Sequence, residues 1–365
     1  MSKQNILFVG KKFLLQPIGG REMLSSLNHQ LLISIFNQNC FHFETYSNQP
    51  HPSKSKLFSK IFQGEIDGVS KEVLSKISMQ VRLQNISQIF IDGSNFGLVA
   101  QHLKREFPNI KIFTFFHNIE TKFFYDSLVR AKSLRSIIIL VANYFAERKS
   151  VKYSDHLICL TKTDSNIMTN FFNRKADSIL PMALVDKLNG HASSANQIAE
   201  KNYVLFVGGL FYANEHGVRW FIKYVAPNIN YKIFIVGRGF ETLKNEFEKT
   251  KNITVVGKVD DLNKWYRESD CVVAPIFEGS GMKTKVAEAL MFGKKIVASS
   301  AALEGYEDIP NNICYSCDSK AAFIDALNTL YNEKHLKFDQ RIRDVYENRF
   351  SFLAAEKNLK KILSL

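Results

Sequence analysis

Ala274-Pro275-Ile276-Phe277-Glu278-Gly279-Ser280-Gly281-Met282-Lys283-Thr284-Lys285-Val286-Ala287-Glu288-Ala289-Leu290 reads as a strand end, a glycine-rich loop and an opening helix, which Gly293 closes before another apolar run. A loop of this kind turns free N–H groups and the positive end of a helix dipole toward an anion, and Lys283 and Lys285 add full charges beside it. Such a site suits a diphosphate. Glu288 follows Lys285 by nearly one helical turn, so a carboxylate is placed to accept from ribose hydroxyls while the lysine meets phosphate. A plain intrahelical Lys285–Glu288 pair, worth a few tenths of a kcal/mol, is the alternative.

Working outward, short apolar runs alternate with helical patterns along the whole chain, which is the signature of an α/β protein with parallel sheets. In the first half, strands are predicted at Asn5 to Val9, Phe41 to Tyr46, Gln88 to Asp92, Lys111 to Phe116, His156 to Leu160 and Ser178 to Leu180. In the second they fall at Tyr203 to Val207, Lys232 to Val236, Ile253 to Val256, Cys271 to Pro275 and Lys295 to Ser299, with helical sequence expected from Ile313 to the end. Three of these later strands run into glycine: Gly208-Gly209, Gly237-Arg238-Gly239 and Gly257. Each alone is an ordinary β-to-α turn. Three at one edge of a parallel sheet form the kind of crevice in which nucleotides bind.

At 365 residues the chain is long enough for two domains of ordinary size. The stretch from Lys187 to Asn196 is poor in large apolar residues and rich in turn formers. The expected division is therefore an N-terminal domain over 1–186, a linker over 187–201, a C-terminal domain over 202–348 and a final helix over 349–365. With 45% hydrophobic and 23% charged residues and no low-complexity tract, disorder and repeat architectures are excluded. The 30 Phe are assigned to the core.

Five cysteines are few and odd in number, which argues for free thiols in a reducing, cytoplasmic setting; the Cys314/Cys317 pair has neither a second pair nor a nearby His to complete a metal site. The start, Met1-Ser2-Lys3-Gln4-Asn5, does not read as a signal peptide. Net charge is +13, and the excess sits early: 24 Lys and Arg face 15 Asp and Glu before residue 201. Lys122, Arg130, Lys132, Arg135, Arg148, Lys149 and Lys152 bracket the apolar run Ile137 to Val141, which fits either a core helix with solvated ends or a helix lying on anionic lipid at the inner membrane face. No helix-turn-helix, zinc-finger or RNP-type pattern supports a nucleic-acid partner.

Val204 to Gly209, Asp260 to Asp270 and above all Pro275 to Gly305 resemble the donor half of the GT-B glycosyltransferases, in particular glycosyltransferase family 4 and its relatives in bacterial polysaccharide assembly. Pro17-Ile18-Gly19-Gly20, His117-Asn118-Ile119-Glu120 and Glu147-Arg148 extend the resemblance to the first half. It implies two Rossmann-like domains facing across a cleft, with the last helix crossing back to the N-terminal domain. It also implies that Glu288 binds the ribose of a nucleotide sugar and Lys285 its diphosphate, with backbone from Gly281, Met282 and Lys283. Gly208, Gly209, Gly237, Arg238, Gly239, Lys258 and Val259 would border the donor, with Glu278, Ser280 and Thr284 on its loop. Gly19 and Gly20 would close over phosphates or sugar, and His117 would face the sugar in transfer; a helix-capping role for His117, or for Asn118 in its place, is the alternative.

Two features depart from that pattern. Many family members carry Glu-x7-Glu, whereas eight residues before Glu288 stands Ser280, with Glu278 ten before. Many also place Arg and Lys after the first donor-domain strand, where this chain has Leu210-Phe211-Tyr212-Ala213-Asn214. The activity implied is a retaining transfer to a glycan, lipid-linked or protein acceptor, with no cofactor beyond the nucleotide-sugar substrate. No metal is expected, since the chain has no Asp-x-Asp. The competing expectations are a non-catalytic partner of another transferase and a sugar-nucleotide epimerase.

Overall fold

The structure, a computed structural model, describes residues 4–12, 20–45, 64–188, 203–279, 281–333 and 336–364, with backbone alone at 130 and 131. Gly19, Ser280 and the linker from residue 189 onward lie outside the described residues. The chain forms two compact units, Met1–Pro181 with Ala355–Leu365, and Met182–Ala354.

The first unit is built on a six-stranded sheet in the order β2-β1-β3-β4-β5-β6. Its strands are β1 (Asn5–Lys11), β2 (Cys40–Thr45), β3 (Ile86–Asp92), β4 (Lys111–Phe116), β5 (His156–Cys159) and β6 (Ser178–Ile179). All pair in parallel. Parallel strands covered by helices on both faces read as continuous apolar runs, and Ile6 to Val9 and Ile89 to Ile91 are accordingly buried without alternation. On one face Phe8 stacks on Phe90 at 6.1 Å and Phe90 on Phe115 at 6.2 Å, which is where much of the aromatic load goes. The other face packs Leu7, Val9, Ile89 and Ile91 against Ile77, Val81 and Leu103 of the crossover helices.

The helix Leu134–Tyr153 starts at Ser133, whose hydroxyl accepts from the Ser136 N–H at 3.1 Å. Its second half is a core helix, with Ala142, Ala146, Ser150 and Val151 buried against the helix Gly97–Glu106 and its approach. The first half differs. Ile137 is 45% and Leu134 74% exposed, and no residue of the run Ile137 to Val141 is fully buried.

The second unit carries the order β12-β11-β10-β7-β8-β9. Its strands are β7 (Tyr203–Val207), β8 (Lys232–Val236), β9 (Ile253–Gly257), β10 (Cys271–Ala274), β11 (Lys295–Ala298) and β12 (Cys314–Ser316), again all parallel. β12 corrects the expectation of helix from Ile313 onward. Three residues are too few to show a period, but they pair with Ile296 to Ala298, and the Cys317 N–H closes the edge on the Ala298 carbonyl at 2.8 Å. Cys314 and Cys317 are free, buried thiols. In each sheet the chain starts in the interior and reverses direction of travel, beside β1 and β3 in the first and beside β7 and β10 in the second; the carboxyl ends of such neighbours leave a crevice.

The final helix, Phe352–Ile362, begins in the second unit and is counted with the first from Ala355, with Ala355, Leu359 and Leu363 buried. No helix among the described residues is long and apolar enough to cross a membrane. One close approach offers a check on the first unit: a Cβ on Gly97 would lie 1.9 Å from the Ala146 carbonyl oxygen and 2.6 Å from the Ser150 nitrogen. Gly97→Ala is expected to lower unfolding free energy by about 1–3 kcal/mol in a denaturant titration, because helix backbone must move to admit a methyl group.

Candidate functional site

At the switch point of the second sheet, β7 ends in Gly208-Gly209 and β10 runs into the loop that opens the helix Thr284–Met291. That helix has no internal Gly or Pro, and it stops where Gly293 takes φ 62° and returns its N–H to the Leu290 carbonyl. At its other end Lys283 is the N-cap residue and no side chain caps it. The Val286 N–H donates to the Lys283 carbonyl at 3.0 Å, which leaves Thr284 and Lys285 as the first-turn amides without a side-chain cap.

The strand ends touch. A Cβ on Gly237 would sit 1.8 Å from the Gly208 oxygen, and one on Gly208 would sit 2.7 Å from Asn214 Nδ2 and 3.0 Å from Lys285 Nζ. Only glycine at both positions lets the β7 and β8 exits meet and leaves room for a lysine head beside them. Lys285 is buried there, donating to Asn214 Oδ1 at 3.0 Å with its ammonium 4.2 Å from the centre of the Phe206 ring. Asn214 is held in turn by donating Nδ2 to the Gly209 carbonyl at 2.7 Å. Burial pushes the Lys285 amine down to about 7, with Lys283 adding to the effect and Glu288 opposing it.

Glu288 does not pair with Lys285. Its Oε1 accepts from Lys187 Nζ at 2.9 Å and its Oε2 from the Tyr266 hydroxyl at 2.9 Å. Burial, and then the Glu288 carboxylate, hold the Tyr266 phenol well above the ordinary tyrosine range. Lys283 closes its own loop by donating to the Gly279 carbonyl at 3.2 Å and the Gly281 carbonyl at 2.6 Å, while its own carbonyl accepts from Tyr306 at 3.0 Å. Met282 takes the Met182 N–H on its sulfur at 3.4 Å. Thr284 is half-buried at the helix start.

Gly208, Gly237, Lys285 and the loop from Gly281 to Thr284 are thus gathered at one sheet edge, with Glu288 one turn further along the helix. Gly209, Arg238 and Lys258 lie exposed, while Gly239 and Val259 are partly covered. Glu278 faces His216, 3.1 Å away, on an exposed rim. Sequence reasoning did not find Asn214, Phe206, Tyr266 or Lys187. Asn214 offered only an uncharged side chain where the family pattern puts cations, and the others lie 22 to 101 residues from their partners with no motif between them.

In the first unit the carboxyl end of β3 presents Asp92, fully buried. Its Oδ2 accepts from Ser25 Oγ at 2.5 Å and lies 3.1 Å from His117 Nε2, and its Oδ1 accepts from Asn28 at 2.7 Å. Burial resists ionisation here, but His117, Ser25 and Asn28 outweigh it and hold the carboxyl below its usual range. Nearby, Arg21, next after the exposed Gly20, donates to Glu120 at 3.0 Å and to Asn95 at 3.3 Å. Neither His117 nor Asn118 caps the helix Glu120–Ala131, as one alternative had it. Glu147 does so from the neighbouring helix, accepting the Glu120 and Thr121 N–H groups at 2.8 Å each. A signal for Asp92 was present: an acid directly after the apolar run Ile89 to Ile91 needs partners for its charge. Among the described residues no three His, Cys, Asp or Glu side chains are grouped to hold a metal ion.

A buried lysine whose amine sits near 7 when folded and near 10.5 when unfolded costs stability wherever only the unfolded chain binds the proton fully. That cost is complete below pH 7 and fades as pH rises toward 10.5. Lys285→Met is therefore expected to raise unfolding free energy at pH 7 by an amount on the order of 4 kcal/mol, and the gain should shrink steadily in denaturant titrations carried to pH 10.

Comparison with known proteins agrees with this architecture. Residues 201–333 match the model of the family described as glycosyl transferases group 1. Among solved structures, HepE of Anabaena in complex with UDP aligns at TM-score 0.68 and 13% identity, covering 99% of this chain and 100% of that one. The lipopolysaccharide outer core galactosyltransferase WaaB aligns at 0.69 and 12%, covering 99% of each chain. A glycosyltransferase from Rickettsia africae aligns at 0.66 and 15%, covering 100% and 99%. At these identities the structural likeness is one of fold. No curated protein matches the chain. The chain thus shares the two-unit GT-B fold of these structures, and the segment that matches the glycosyl transferases group 1 family falls on the unit that holds Lys285 and Glu288.

Proposed function

We propose that the chain transfers a sugar, a hexose in the simplest case, from a nucleotide-sugar donor to an acceptor hydroxyl, with retention of anomeric configuration and without a metal. The carrying observation is a buried lysine head, Lys285, at a sheet switch point on a helix whose start no side chain caps, with a carboxylate one turn away. An anion entering beside Lys285 restores the partner that burial denies it and draws its proton back. UDP and UDP-glucose are the ligands of the HepE structures, which makes a nucleoside diphosphate the first candidate.

In this reading the bond between the anomeric carbon and the diphosphate oxygen breaks as negative charge grows on the leaving group, and Lys285 with the first-turn amides stabilises that charge. The acceptor hydroxyl forms the new bond on the same face, and its proton passes to the departing phosphate oxygen. Glu288 holds the ribose. In the first unit the family resemblance assigns the sugar-facing role to His117, whose Nε2 lies 3.1 Å from Asp92. Cations of the chain do what a divalent ion does in other transferases, so no cofactor is required.

The acceptor we favour is lipid-linked. Phe123, Tyr125, Val129, Leu134 and Ile137 are all more than 40% exposed within fifteen consecutive residues, and Lys122, Lys132 and Arg135 are interspersed with them. Exposed apolar side chains among cations are the pattern of a surface that beds into anionic lipid.

Thermal unfolding with UDP, GDP, ADP and CMP tests the donor site: one nucleoside diphosphate is expected to raise the midpoint, and Glu288→Ala to abolish the shift. Lys285→Ala should reduce transfer by about 10²–10³-fold, with EDTA leaving wild-type transfer unchanged. Binding without transfer to any acceptor would favour a non-catalytic partner, and product released without an acceptor would favour an epimerase. Co-sedimentation with phosphatidylglycerol vesicles should fall on raising salt and on replacing Leu134 and Ile137 by Ser; binding indifferent to both would remove the membrane reading.

A further inference from the structure

The side chain of Glu288 is only 9% exposed, and both of the donors that reach it come from outside its own helix. Tyr266 is fixed by stacking on Phe292, with ring centres 5.0 Å apart and planes 6° from parallel. Lys187 is fixed through its backbone. Its N–H donates to Met291 Sδ at 3.3 Å, and the residue before it, Asp186, is gripped by Arg343, which also donates to the Met291 carbonyl at 2.9 Å. Leu184 donates to the Phe350 carbonyl and accepts from the Tyr346 hydroxyl, each at 2.8 Å, and Arg267 donates to the Leu188 carbonyl at 3.2 Å. The segment from Leu184 to Leu188 is thus strapped along the helix that carries Glu288. An ammonium on a rigid strap meets Oε1 while a rigid phenol meets Oε2.

An ionised carboxylate offers about four lone-pair positions, two on each oxygen. Lys187 takes one and Tyr266 takes one on the other oxygen, which leaves one acceptor position on each. Two adjacent acceptors are what a vicinal diol requires. We propose that Lys187 is a positioning residue for the donor's ribose: together with Tyr266 it fixes the plane and the charge of Glu288 so that each carboxylate oxygen accepts from one of the 2′- and 3′-hydroxyls. This rests on the reading of Glu288 as the ribose ligand. Lys187 itself is 42% exposed on its side chain, so its replacement removes a charge and a hydrogen bond without opening a cavity.

The test is the ratio of affinities for a ribonucleoside diphosphate and its deoxy form, measured by calorimetry on the full chain with UDP, 2′-deoxy-UDP and 3′-deoxy-UDP, and with the GDP and ADP series in parallel. The wild type is expected to prefer the ribose form by about 10- to 100-fold, as a hydrogen bond to a charged group supplies. Lys187→Met, and Lys187→Gln should the first variant unfold, is expected to bind the ribose form about as weakly as the deoxy form, while affinity for the deoxy form stays as in the wild type. Lys187→Arg should restore the preference, and Tyr266→Phe should reduce it. A Lys187→Met protein that discriminates as the wild type does would overturn the role of Lys187 alone. A wild type that binds a diphosphate without discriminating would remove Glu288 from the ribose and the inference with it. A wild type that binds no nucleoside diphosphate would overturn the donor-site reading itself.

Discussion

An ammonium group buried without an ion pair among the described residues is the constraint on which the second unit's site depends. Lys285 has an amide oxygen and an aromatic face for company, and burial drives its proton affinity down by orders of magnitude. A protein does not hold a lysine this way for stability. Its surroundings are two strand ends pressed together through glycine, an asparagine tethered to the loop beneath, and a helix start with no side-chain cap. The same unit treats a second buried lysine, Lys294, quite differently, surrounding its ammonium with the carbonyls of Arg267, Ser269 and Lys337. One lysine is satisfied by protein and closes a structure. The other has one amide oxygen and an aromatic face.

The two units solve a shared problem with different materials. Each has a parallel sheet whose switch-point strands end in a crevice, and each places a buried ionisable group there. In the second unit that group is a cation with neutral neighbours. In the first it is an anion, Asp92, which accepts from Ser25 and Asn28 with His117 Nε2 3.1 Å away. Glu147, wholly buried, has its carboxyl pushed up to about 7 by that burial, against the two amides it caps. For both carboxyls burial works against the charged form and the hydrogen bonds they accept work for it.

Much of the fold was legible because parallel strands are continuous apolar runs and crossover helices are amphipathic, patterns that need no knowledge of distant residues. Eleven of the twelve strands fall where such runs predict them, with ends differing by a residue or two; β12 escaped because a three-residue edge strand has no period. The loop and helix from Pro275 to Leu290 were legible because glycine, lysine and a helix start follow one another in sequence. The side chains that orient the site were not. Lys187, Phe206, Asn214 and Tyr266 come from four separate elements, and each looks ordinary in its own surroundings: a charge before a linker, a core aromatic, a polar residue in a helix, a buried phenol. Their convergence is a product of tertiary packing, and only the sheet order brings them to one place.

The chain passes from the first unit to the second near residue 181 and back again near residue 355. The last eleven residues are therefore remote in sequence from the structure they complete. A premature stop just after residue 354 would spare every residue of the second unit and remove Ala355, Leu359 and Leu363 from the interior of the first. The lesion would fall on the unit made earliest, because the chain supplies its closing helix only after the whole of the second.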